Sequence, residues 1–210
     1  MSLKRVGKTG AASVVLLASA RAAQRGVSGC EDQVYRAVND LPDEIAPVAW
    51  LPMQAGALAY PLVFSAGIYW RTRTPQPALS IAAAGFSAWL GAKAVKRMVG
   101  RGRPFDFHPD TNLRLGTEKD GSRGFISGHA AVSFAVASVA SDRIGTIPGI
   151  ASYGAAIAAS LSRLYVGAHL PLDIIGGAAF GIVVGEIAEV AALRIRNKQN
   201  SVRLGRRTDR

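Results

Sequence analysis

Residues 45–70 read IAPVAWLPMQAGALAYPLVFSAGIYW, with no charged side chain between Ile45 and Trp70. At 1.5 Å of rise per residue, about 20 apolar residues cover the roughly 30 Å hydrocarbon core of a bilayer, so the stretch is long enough to cross it. Trp50 and Trp70 stand toward its two ends, and tryptophan favours the membrane–water interfaces. Arg71 and Arg73 follow at once, a stop that marks a cytoplasmic end. The stretch reads as a transmembrane helix.

Working outward, a second span is expected over about Pro77 to Val95, ending in Lys96 and Arg97. The polar stretch from Gly100 to Gly128, which holds Arg103, Asp106, Asp110, Glu118, Asp120 and Arg123, reads as a loop. A third, short span is expected over about His129 to Ser141, a turn at Asp142-Arg143 with Gly145 and Pro148, and a fourth span over about Ile147 to Leu161. A fifth runs over about Leu170 to Leu193, followed by a tail with Arg194, Arg196, Lys198, Arg203, Arg206, Arg207 and Arg210. Such a tail stays in the cytoplasm. Counting back from it puts the Asp142 turn inside, the loop from Gly100 to Gly128 outside and the Arg71 turn inside, as its own charge requires.

Composition agrees. The 210 residues carry a net charge of +11, yet 49% are hydrophobic and only 19% are charged, which is too apolar for a soluble nucleic-acid binder. The basic residues punctuate long runs rich in Ala, Gly, Val and Ile, as in polytopic membrane proteins. The fold class expected is all-α, a transmembrane helical bundle of five or six spans. Its organisation would be an N-terminal segment and outer amphipathic region over 1–44, a membrane core over 45–193 and a basic tail over 194–210. The first residues, with Lys4, Arg5 and Lys8 before an apolar run from Ala11 to Ala20 that is short for a span, leave open a cleaved signal, an interfacial helix or a degenerate first span.

Cys30 is the only cysteine, which excludes an internal disulfide and a thiolate cluster. His108, His129 and His169 include no pair with the spacing of a helical zinc site, so neither a metal nor a cofactor is called for. Gly177, Gly181 and Gly185 recur every four residues and suit close helix packing. Glu186 and Glu189 suit pairing with Arg194 or snorkelling to the interface. Lys93, Arg97 and Arg101 read as solvated or headgroup-facing charges, His108 as an ordinary loop histidine, and Trp89 and Tyr165 as packing or interfacial residues.

Three short motifs converge, by this topology, on the outer face. Lys96 is followed after six residues by Arg103-Pro104; Ser127-Gly128-His129 opens the third span; and Ser162-Arg163 is followed by His169 and Asp173. Lys96, Arg103 and Arg163 can surround a phosphate, the arginines as bidentate forks. Ser127 can donate a hydroxyl hydrogen bond, and a helix starting near Gly128 would aim backbone N–H groups at an anion. His169 and Asp173 are four residues apart and would share one helix face. The carboxylate would fix the imidazole tautomer while the other ring nitrogen attacks phosphorus, and His129 would protonate the leaving oxygen and later activate water. Cations after a span on the outer side run against the positive-inside bias, which an anionic ligand explains.

These motifs resemble those of the type 2 phosphatidic acid phosphatase family, over about Lys96 to Asp173. The first and third match in type and spacing; in the second, Ile126 stands where the family usually has proline. The resemblance implies a helical bundle, often of six spans, that needs no metal. It assigns phosphate binding to Lys96, Arg103, Ser127, Gly128 and Arg163, the nucleophile to His169, its partner to Asp173 and the general acid to His129. The family's soluble acid phosphatases and vanadium-dependent haloperoxidases are set apart by the spans here. Among membrane members, the substrates implied are phosphatidic acid, phosphatidylglycerol phosphate and polyprenyl pyrophosphates or phosphates, with polyprenyl recycling slightly favoured. The expectation is a cell-membrane lipid phosphatase with an extracytoplasmic site, partnered by its substrate and membrane lipids, not by nucleic acid, with a homo-oligomer left open. The alternative is a non-enzymatic scaffold or transporter with a relict pocket.

Overall fold

The computed structural model describes residues 3–117 and 123–208. Glu118 and Asp120 of the outer loop, the side chains of Arg203, Arg206 and Arg207 in the tail, and Arg210 lie outside the described part. Every regular element in that part is helical: α1 (Leu3–Gln24), α2 (Gly29–Asn39), α3 (Ala46–Met53), α4 (Tyr60–Thr72), α5 (Pro75–Val99), the single turn α6 (Pro104–Phe107), α7 (Gly128–Arg143), α8 (Thr146–Tyr165) and α9 (Pro171–Thr208).

Helix α7 is the axis of the bundle. Ala130, Ala131, Val132, Ala135, Val136 and Val139 have no accessible surface, the signature of a helix packed on all sides. Small residues on α9 let the two backbones close up. A Cβ added to Gly177 would lie 2.5 Å from the Ser127 carbonyl oxygen, one on Gly185 2.7 Å from Ser138 Cβ, and one on Gly181 would collide with the Ala131 carbonyl. The outside is apolar as well: Leu62, Val63 and Trp70 of α4, Ile147 and Ile150 of α8, and Ile187 of α9 all face outward, exposed. A large apolar exterior over an apolar core belongs in lipid rather than water. The molecule is an all-α membrane bundle.

Five helices run between the same two ends. At one end Arg101, after α5, reaches Gly26, after α1, and Asp173 at the start of α9. At the other, Arg5 of α1 meets Asp142 of α7, and Arg143 meets Glu189 of α9. Helix α8 returns from that second end, where Gly149 abuts Ser141, to Arg163 at the first. The N-terminal segment is therefore a 22-residue helix laid along α9 for much of the bundle's length. Judged by length and composition alone, two described helices, Pro75–Phe107 and Pro171–Arg196, are long and apolar enough to cross a membrane.

The stretch that reads most plainly as one span is broken. Residues Asp43–Gly56 and Tyr60–Thr72 meet at 73°. Pro52 lies inside α3, Pro61 in the first turn of α4, and a single 3-10 turn, Gln54–Gly56, stands between them. Prolines on either side of the turn remove the backbone donors that a continuous helix would use. Pro61 then wedges against Gly85 of α5.

A further expectation changes. Glu186 and Glu189 do not pair with Arg194: Lys8 Nζ lies 2.6 Å from Glu186, Arg143 Nε 2.8 Å from Glu189, and Arg5 3.9 and 3.7 Å from the two. Only the fold could supply α1 as their partner. The fifth span agrees with expectation: the apolar length of the last helix is Pro171–Arg196, and the helix continues past it to Thr208.

Candidate active site

Helix α7 begins where the second motif predicts. Ser127 is its N-cap, with extended backbone, and its hydroxyl oxygen accepts the Ala130 N–H at 3.4 Å. The Ser127 N–H donates to the Asp173 carbonyl at 2.8 Å, tying the start of α7 to the start of α9. Phe125 and Ile126, both fully buried, anchor the preceding strand of chain by packing on Gly176, where a Cβ would lie 2.6 Å from Phe125 Cζ and 2.9 Å from Ile126 Cγ2. Burial of this apolar pair holds the loop at the position where the related family usually has proline.

His169 and Asp173 meet, but not as one helix face. His169 precedes α9, and its backbone N–H donates to the Arg163 carbonyl at 3.3 Å. Asp173 sits in the first turn and reaches back: its Oδ2 accepts the Leu170 N–H at 2.9 Å and lies 3.4 Å from His169 Nδ1. Helix capping, rather than an i,i+4 stripe, brings them together. Asp173 has no accessible surface and His169 is 3% exposed. Burial, and then the nearby charges of Lys96, Arg163 and Arg103, push the His169 imidazole well below its ordinary pKa of 6.5, with the Gly124 carbonyl opposing. Both effects favour the neutral ring.

The cations come from three elements. Lys96, in the last turn of α5, donates Nζ hydrogen bonds to the carbonyls of Arg123 at 2.9 Å and Gly124 at 3.4 Å. Arg103 opens α6, its backbone N–H donating to Asp106 Oδ2 at 2.7 Å. Arg163, near the end of α8, donates to the sulfur of Met53 at 3.0 Å, while its buried Nε has no partner among the described residues. A thioether is a weak acceptor, and an anionic oxygen would serve that guanidinium better. His129, in the first turn of α7, lies within electrostatic reach of Arg163, His169 and Lys96. Gly56, in the turn of the broken span, closes over it, where a Cβ would lie 2.5 Å from His129 Cβ. Lys96, Arg103, Ser127, Gly128, His129, Arg163, His169 and Asp173 therefore gather at one end of the bundle.

Arg101 is the main departure from expectation. It is not a solvated charge but 5% exposed, forked onto Glu31 at 2.6 and 2.9 Å and bonded to Asp173 Oδ1 at 3.1 Å. Its place between Lys96 and Arg103, flanked by Gly100 and Gly102, was the only signal in the sequence, and none pointed to Glu31, 70 residues away. His108 is also held, stacked on Tyr35 at 5.7 Å and 3.2 Å from both Arg36 and Asp32.

The fold has solved counterparts. The crystal structure of the first transmembrane PAP2 type phosphatidylglycerolphosphate phosphatase from Bacillus subtilis matches with a TM-score of 0.69 at 19% identity, covering 90% of this chain and 97% of that one. The crystal structure of Aquifex aeolicus LpxE matches with a TM-score of 0.62 at 24% identity, covering 74% and 92%. No curated protein matches the chain. The PAP2 superfamily model matches residues 76–196, more than half of the chain and all eight residues gathered at the site, and the chain belongs to that superfamily.

Proposed function

We propose that this protein is an integral-membrane lipid phosphatase that works through a phosphohistidine on His169. The observation that carries the reading is the meeting of the His169 imidazole with the buried Asp173 carboxylate, with Lys96, Arg103 and Arg163 close to that ring and His129 beside it. Lys96, Arg103, Arg163 and the N-terminal N–H groups of α7 hold the phosphate oxygens. Nδ1 faces Asp173, so Nε2 attacks phosphorus as the bond from phosphorus to the lipid oxygen breaks, and His129 gives its proton to that oxygen. Asp173 offsets the positive charge that forms on the ring. His129 then takes a proton from water, the hydroxide attacks phosphorus, the phosphorus–nitrogen bond breaks, and inorganic phosphate leaves.

The apolar exterior and an apolar groove of about 300 Å³, lined by Val48, Pro52, Leu161 and Tyr165 among others, support a lipid substrate. The class proposed is a phosphate or pyrophosphate monoester of a polyprenyl or glycerolipid, in keeping with the phosphatidylglycerolphosphate phosphatase of the same fold. The end remote from the site carries Arg71, Arg73 and the basic tail, while Asp32, Asp40, Asp43 and Glu44 lie toward the site end, a charge distribution that supports an extracytoplasmic active face in the cell membrane. A relict scaffold would have lost one of these groups, and each is present.

The test is phosphate release by purified protein from polyprenyl pyrophosphate, polyprenyl phosphate, phosphatidic acid and phosphatidylglycerol phosphate, beside short soluble esters. Turnover of at least one lipid well above the soluble esters, and none in His169→Ala, is expected. Equal turnover of soluble esters would overturn the lipid assignment, and full activity in His169→Ala the mechanism.

A further inference from the structure

Three charged side chains, Glu31, Arg101 and Asp173, meet beneath the site almost wholly shielded from solvent, and only Asp173 belongs to a motif. Glu31 is in the first turn of α2, outside the residues that match the superfamily. Its two carboxylate oxygens take both arms of the Arg101 guanidinium, at 2.9 and 2.6 Å, and Oε1 also accepts the Leu172 N–H at 2.9 Å. Arg101 Nη1 is shared onward with Asp173 Oδ1 at 3.1 Å, and Asp173 Oδ2 faces His169. The chain of contacts thus runs from α2 through the loop after α5 to the nucleophile.

Charge counting shows what Glu31 is for. Asp173 and Arg101 alone cancel, leaving nothing to offset the positive charge that the His169 ring acquires when it bonds to phosphorus. With Glu31 the trio carries one net negative charge, held where water cannot screen it. Its bond to the Leu172 N–H also helps fix the first turn of α9, on which Asp173 stands.

We propose that Glu31 is a positioning residue for the His169 reaction: through Arg101 it supplies the charge balance, and through Leu172 the placement, that let Asp173 stabilise the phosphorylated imidazole. This rests on the phosphohistidine reading above. Glu31 touches neither substrate nor reacting atoms; it acts through Arg101 and Asp173.

The test is steady-state kinetics on whichever lipid phosphate the wild type turns over, with His169→Ala alongside and thermal unfolding of each variant. Glu31→Gln keeps the size and one oxygen to accept the Leu172 N–H but drops the charge; kcat should fall on the order of 10- to 100-fold with KM little changed, as for a partner acting through a primary residue. The double variant Glu31→Gln/Arg101→Gln removes both charges and restores the net negative one, so it should be faster than Glu31→Gln alone, which no packing role predicts. If Glu31→Gln does not fold, Arg101→Lys carries the test: it keeps the charge, loses the fork and should lower kcat about 10-fold. Unchanged kcat in folded Glu31→Gln or in Arg101→Lys, a loss through KM alone, or a double variant slower than Glu31→Gln would overturn the proposal. Wild-type turnover that is lost in His169→Ala but intact in Glu31→Gln overturns this inference alone. A wild type that releases no phosphate from any lipid overturns both readings.

Discussion

Gly56 closes over His129 so tightly that a Cβ built on the glycine would lie 2.5 Å from the histidine Cβ, 2.7 Å from Cδ2 and 2.8 Å from Cα. Two of those three atoms cannot swing away, because they belong to the backbone or sit directly on it. The break in the α3–α4 stretch thus places a side-chain-free turn against His129, the proposed general acid. Gly56→Ala should displace α7's first turn, cost roughly 1–3 kcal/mol as an overpacking change, and lower turnover by at least about 10-fold. Thermal unfolding in detergent and kcat check both, and a fully active Gly56→Ala would refute the constraint.

The two histidines should separate in a trapping experiment. Under the proposed mechanism His169→Ala removes the bond-forming atom and should give no covalent phosphoenzyme with any substrate. His129→Ala removes only the proton donor, so a substrate with a good leaving group should still label His169, slowly. Asp173→Asn should be milder than loss of His169. Labelling of His169→Ala at the wild-type level would refute the assignment.

Burial and three nearby cations depress the His169 pKa. A base whose pKa is depressed stays neutral as pH falls through its ordinary 6.5 and is lost as a nucleophile only further down. Phosphoenzyme formation from a substrate with a good leaving group, which needs no proton from His129, should therefore hold nearly constant between about pH 7.5 and 6 once corrected for the substrate's own ionisation. A tenfold fall per pH unit starting at 6.5 would show that the site does not shield the ring.

The N-terminal helix should be retained and structural. Lys8 lies 2.6 Å from Glu186, whose side chain is 3% exposed. Lys8→Met should destabilise by roughly 1–3 kcal/mol, less than for a fully sealed pair because Arg5 remains nearby. Adding Glu186→Gln should recover most of that loss. Mass spectrometry of the membrane-extracted protein should find Arg5 and Lys8 still present; a mature chain lacking them would identify a cleaved signal.

Cys30 reports orientation. It is the only cysteine, it is exposed, and it lies beside Glu31 at the site end of the bundle. A membrane-impermeant thiol reagent should label it in sealed, right-side-out cells. Labelling only after permeabilisation would place the site in the cytoplasm.

Much of this protein is written in local pattern. Apolar runs bounded by arginines marked a membrane bundle, because the length and hydropathy of a segment are properties of its own residues. The start of α7 at Ser127-Gly128 was legible because a cap acts within three residues, and the residues that gather around His169 could be picked out because each kind of side chain has its own chemistry for phosphate. Other features were settled by tertiary structure. Pro52 and Pro61 allow a break in Ile45–Trp70, but where the two halves go depends on Pro61 finding Gly85 and Gly56 finding His129, contacts that no hydropathy window contains. Arg101 looked like any basic residue after a span, and Glu31 like any acid in an outer segment. Their ion pair, and that of Lys8 with Glu186, joins residues far apart in the chain. A charge reveals its cost only once burial decides whether water or a partner will stabilise it, and burial is a property of the whole fold.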